Sequence, residues 1–109
     1  GADINKAIDT LGDLDMYNET LKIVYESTSE RIKRLAKYKD NQDMKSYHIE
    51  VHALKSDLKY LGFFELSNLP FKHEVESKNN NVDYITENFN ELENKINEFI
   101  QVCKEYLNK

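Results

Sequence analysis

The feature that most constrains this chain is the apolar series Ile85, Phe89, Leu92, Ile96, Phe99/Ile100, Cys103 and Leu107. Steps of three and four put all of these on one side of a helix of about seven turns and give a strand no consistent face. This is the strongest heptad-like stripe in the chain, and it predicts a helix from about Val82 to Asn108 that needs partners along its whole length. A second stripe runs through Tyr17, Leu21, Val24, Thr28, Ile32 and Leu35, predicting a helix from about Leu14 to Tyr38. Its later half carries Arg31, Lys33, Arg34, Lys37 and Lys39, which suits the negative end of a helix dipole.

The remaining segments follow from their boundaries. Asp3 to Leu11 offers Ile4, Ala7, Ile8 and Leu11, a short amphipathic helix that Gly12-Asp13 ends. Asp40-Asn41-Gln42-Asp43 reads as a turn with an N-cap, opening a helix from Asp43 to Leu61 that Gly62 closes. A further helix is predicted from Phe64 to Ser77, with Leu66, Leu69 and His73 or Val75 inward and a kink at Pro70. Asn79-Asn80-Asn81 reads as a loop. Only 3 Gly and 1 Pro interrupt the 109 residues, and no segment alternates with period two. The prediction is therefore all-α: an antiparallel, up-and-down four-helix bundle over about residues 14–108, with a short N-terminal capping helix, in one domain spanning 1–109.

Charge and cysteine usage exclude several functions. A net charge of −5 argues against nucleic acid, whose phosphates call for a basic surface. No run approaches the length of a membrane span, and no signal peptide is read ahead of the first helix, so no direct membrane contact is expected. The single Cys103 has no internal partner and lies on a helical apolar stripe, which fits a reduced, cytoplasmic setting. Gly1-Ala2 reads as a scar ahead of a domain cut from a longer protein.

The chemistry concentrates in YHIEVHALKSDLKYLG, residues 47–62. With His52 at zero and about 100° per residue, Tyr47, Val51, Leu54, Leu58 and Leu61 share one arc, with Met44 at its edge, and form the core face. Within about 60° of His52 lie Lys45, His48, Ile49, Lys55, Ser56 and Lys59, and no carboxylate, since Glu50 and Asp57 point away. A histidine there is not a core residue. It is an exposed nucleophile in a locally positive field, with lysines one turn away able to neutralise a phosphoryl group and a small Ser56 leaving room for it. His48 and His52 are also spaced as in zinc-binding helices. Further ligands are scarce, however, with His73 and a carboxylate the only obvious supply, and the lysines repel a cation, so no metal is expected. There is no hydrolase motif and no acid on this face to orient the histidine. No glycine-rich phosphate loop is present, so the chain is expected neither to bind ATP nor to act as an enzyme by itself. The phosphoryl group must come from another domain.

HALKSDLKYLG resembles the H-x-L-K-G-x-x-x-x-x-G motif of histidine phosphotransfer (HPt) domains, with His52, Leu54, Lys55 and Gly62 on the matching positions. LGDLDMYNETLKIVYES is similar to the family's second helix, DMKSYHIEVHALK to the entry of its phospho-helix, and FFELSNLPFKHEVESK, with its L-x-x-L spacing and Glu74, to the helix that follows. Three positions depart from the pattern: Ser56 stands where glycine is usual, Pro70 interrupts a helix, and His73 replaces an apolar residue, where it reads as packing. The resemblance implies a phosphorelay intermediate of two-component signalling, found in bacterial hybrid sensor histidine kinases or standing alone. His52 would accept a phosphoryl group from a receiver-domain aspartyl phosphate and pass it to another receiver. Lys55 and Lys59 would stabilise the phosphoryl charge, and His48, Ile49, Ser56 and Gly62 would meet the partner, with Ile49 at the centre of a small transient interface. It also implies a monomer without a cofactor of its own, Mg²⁺ residing in the receiver. The alternative is a module of the same fold that docks a receiver without being phosphorylated.

Overall fold

In the computed structural model, which describes residues 2–108, four of the five helices start where an Asx side chain caps them. Gly1 lies outside the described residues. Asp3, Asp13, Asp43 and Asn81 each accept a hydrogen bond from the backbone N–H three residues on, at 3.1, 2.8, 3.1 and 3.2 Å. These caps satisfy donors that the first helical turn leaves free, and they open α1 (Ile4–Leu11), α2 (Leu14–Asp40), α3 (Met44–Tyr60) and α5 (Val82–Leu107). The fifth helix, α4 (Asn68–Lys78), begins at Ser67 without a side-chain cap, because the Ser67 hydroxyl donates to Phe64 C=O instead.

Short turns after α2 and α4 fold the chain back on itself. Gln42 and Asn80 adopt positive φ, +54° and +58°, reversing the chain within three residues each. The four longer helices form an antiparallel bundle: α2 packs on α3 and α5, and α4 bridges α3 and α5. α1 packs against α2 and α3 as an N-terminal cap. The fold is all-α, and among the described residues no helix is long and apolar enough to cross a membrane.

The core is built from the predicted stripes. Tyr17, Leu21, Val24, Thr28, Ile32 and Leu35 of α2 are all buried, as are Ile85, Phe89, Leu92, Ile96, Phe99 and Cys103 of α5. Thr28, the polar member, donates its hydroxyl to Val24 C=O at 2.6 Å and so brings no unpaired group inside. On α3 the predicted arc is fully enclosed: Tyr47, Val51, Leu54, Leu58 and Leu61 have no exposed surface. Burial holds the Cys103 thiol up at about 11, a neutral packing group.

α4 departs from the expectation. It starts four residues later than predicted, residues 64–67 forming turns, so Pro70 falls in its first turn. The N–H that proline lacks has no intrahelical partner there, and the predicted mid-helix proline is instead a first-turn residue of a helix that runs on to Lys78. Its inward positions are Pro70, His73, Glu74 and Ser77, while Val75 is exposed and Leu66 and Leu69 are half-buried. His73 is thus the inward one of the two predicted alternatives, and Glu74 and Ser77 are turned in beside it where no polar residue was expected.

Gly62 closes α3 at φ +86°, and Asp3 N–H donates to its carbonyl at 2.9 Å. A Cβ at this position would stand 2.4 Å from the Asp3 carbonyl oxygen. Gly62→Ala is therefore expected to lower stability by about 2 kcal/mol, combining left-handed backbone strain with displacement of α1. Denaturant melts and proteolysis within α1 report it. Wild-type values in both would mean that α1 does not depend on this close approach.

Candidate functional site

α3 presents His52 to solvent, its side chain 56% exposed, on the side facing α4. The ring is not free. Its Nδ1 bonds to Oε2 of Glu74, one of the inward residues of α4. The second carboxylate oxygen, Oε1, accepts from Lys55 Nζ at 2.5 Å, and both of those side chains are nearly buried. The result is a chain, His52–Glu74–Lys55, spanning two helices. Burial by itself would raise the Glu74 carboxyl, but the hydrogen bonds and charges of Lys55 and His52 outweigh it and hold it below the ordinary carboxylate range. Glu74 is thus an anion, and an anion can only accept. His52 therefore donates from Nδ1, and whenever its ring is neutral the lone pair lies on Nε2.

This corrects the expectation that no acid accompanies the histidine. The helical phase was right for α3 itself: Glu50 pairs with Arg31 at 3.6 Å and with Arg34, and Asp57 pairs with Arg31 at 3.2 Å, all toward α2. The orienting acid comes from the next helix. A phase calculation on one helix does not see its neighbours. The sequence signal that marks Glu74 is its place in the segment after Gly62, together with a helix register that turns polar residues inward.

The site residues read from the sequence fall into three groups. His52, His48, Ile49 and Lys55 come together along one open groove of about 490 Å³, which Phe71, Glu74, Val75 and Lys78 complete from α4. His48 Nδ1 lies 3.2 Å from Glu74 C=O, and since a carbonyl only accepts, this nitrogen also carries the proton. Ile49 is 61% exposed at the rim. Lys59 and Ser56 lie outside the groove, Lys59 exposed and Ser56 half-buried. Gly62 is a different case. It is buried against Asp3 at the end of α3, where the absence of a side chain lets α1 pack closely.

Lys55 also differs from the expectation of a cation free to meet a phosphoryl group. One of its three donors is taken by Glu74, and its ammonium sits 5.3 Å from the Phe71 ring centre. Its first effect is to keep Glu74 ionised. Phe71 and Val75, exposed on α4, are not among the site residues read from the sequence, which left His73 or Val75 as the inward position; the structure takes His73. His73, next to Glu74, has no exposed surface and meets Tyr47 Oη at 2.8 Å through Nδ1. It belongs to the core.

Compared with models of known protein families, with curated proteins and with solved structures, the chain finds no match in any of the three.

Proposed function

We propose that this domain is a phosphocarrier of the histidine phosphotransfer type, taking a phosphoryl group onto His52 from a receiver-domain aspartyl phosphate and handing it to a second receiver. The observation that carries this reading is the His52–Glu74–Lys55 chain, which commits Nδ1 and leaves an Nε2 lone pair at an open groove. Neutral Nε2 attacks phosphorus, the N–P bond forms as the bond from phosphorus to the aspartyl oxygen breaks, and the aspartate leaves as a carboxylate. No proton has to be removed from the attacking atom. The ring, still protonated on Nδ1, becomes cationic, and the Glu74 carboxylate already lies against it. The reverse step regenerates a neutral imidazole.

The surface suits a transient partner. Ile49, Phe71 and Val75 give an apolar rim around the nucleophile, and Lys78 and the more distant Lys59 add positive charge that would draw an acidic receiver pocket. The receiver would supply Mg²⁺ and the remaining catalytic groups. The test is incubation with receiver domains carrying labelled aspartyl phosphate. The expected product is label on this chain that is labile in acid and stable in base. Receivers that bind the domain and never transfer label would overturn the proposal in favour of a docking module.

A further inference from the structure

His48 shares a feature with His52 that phosphoryl transfer does not require of it. The two stand at i and i+4 on α3, one above the other on the same face. Both spend Nδ1 on Glu74, His52 on the carboxylate and His48 on the backbone carbonyl at 3.2 Å. Each therefore carries its lone pair on Nε2, at the same open groove. A carboxylate or carbonyl on the far nitrogen is also what fixes the tautomer and raises the basicity of metal-bound histidines.

The lysines expected to repel a cation are less of an obstacle than their number suggests. Lys55 is matched by Glu74, and Lys45 and Lys59 do not line the groove. Lys78 does, but it is exposed on a flexible stem with room to swing away. Competing ligands of the same kind are absent from the surface: of the chain's 3 histidines His73 is enclosed, and the single thiol, Cys103, is buried.

We propose that His48 and His52 form a two-nitrogen chelate for a borderline divalent cation of the zinc, nickel or copper class, with water completing its coordination. Among the described residues no group of three or more His, Cys, Asp or Glu is placed to hold a metal, so this is an exchangeable surface site and not a structural one. The metal and a phosphoryl group would use the same Nε2 of His52 and so exclude each other, a consequence that rests on the phosphocarrier reading.

Calorimetric titration of nickel(II) into the whole domain, with no receiver present, tests the site. One metal per chain is expected, with His48→Ala and His52→Ala each weakening binding by more than about tenfold, and with no heat from magnesium. Nickel affinity left at the wild-type value by either substitution would overturn the chelate. In a label-transfer assay, nickel at a concentration that fills the wild-type site and leaves the His48→Ala site largely empty should reduce uptake by the wild type, and the fractional reduction should be much smaller in His48→Ala. Uptake unaffected by bound nickel would overturn mutual exclusion while leaving the chelate standing. Absence of label even without nickel would instead fault the phosphocarrier reading.

Discussion

Under the proposed phosphocarrier function, Glu74→Gln is expected to slow phosphoryl uptake on His52 by about 10²- to 10⁴-fold, and His52→Ala to abolish it. The carboxylate acts in two ways. It accepts from Nδ1 and so holds the tautomer that exposes Nε2, and its charge faces a ring that turns cationic as the N–P bond forms. Glutamine keeps the shape and loses both. An amide that points its oxygen at His52 turns its NH₂ toward the Lys55 ammonium, two donors face to face. The flipped amide satisfies Lys55 and presents a donor to Nδ1, which favours the wrong tautomer. Glu74 is a positioning residue, so receiver affinity should change little while the transfer step falls. Single-turnover rates at saturating receiver separate the two. A rate within a few-fold of wild type would mean that the Glu74 contact does not act in transfer. A matching loss of affinity would assign Glu74 to docking.

The fold was legible because three of the long helices carry stripes in which nearly every third or fourth residue is apolar, and burying those stripes leaves few arrangements. α4 was not legible for the same reason inverted. Its inward residues include His73, Glu74 and Ser77, and its exposed ones Phe71 and Val75. A rule that sends apolar residues inward turns such a helix the wrong way. The inversion is local to the site: Glu74 is buried because His52 and Lys55 pair with it, and Phe71 and Val75 are exposed along the groove. Pro70 misled in a related way, since a proline marks a break only if the helix has already begun. At the site, the histidine, its exposure and the flanking His48, Ile49 and Lys55 could be read from α3 alone. The acid that completes the arrangement lies 22 residues away on another helix, and no periodicity within α3 encodes it.

Stability is expected to fall by about 3 kcal/mol as pH drops from 6.5 to 4, with His73 as the source. The imidazole is enclosed between Tyr47 and Tyr84, and burial pushes its pKa down to about 4 from the ordinary 6.5. Tyr47 Oη lies 2.8 Å from Nδ1, and Nε2 is buried without a hydrogen-bond partner, so nothing in the site stabilises a charged ring. The sign follows from which state takes up the proton first. Above pH 6.5 the ring is neutral in both states and the native contribution is complete. Between 6.5 and 4 the unfolded chain binds a proton that the native state refuses, and stability falls by about 1.4 kcal/mol per pH unit. Below 4 both states are protonated and this loss levels off. Glu74, whose carboxyl is held low, adds a loss only in the carboxylate range, and Asp57, raised mainly by burial despite Arg31, works the other way there. The interval below 6.5 and above the carboxylate range therefore reports His73 apart from Glu74, while Asp57, raised by burial, opposes the slope only toward its acid end. Denaturant melts across it measure the slope, and His73→Gln, whose amide oxygen can still accept from Tyr47, is expected to flatten it. A wild-type profile already flat between 6.5 and 4.5 would mean that the buried imidazole takes up its proton as readily as an exposed one.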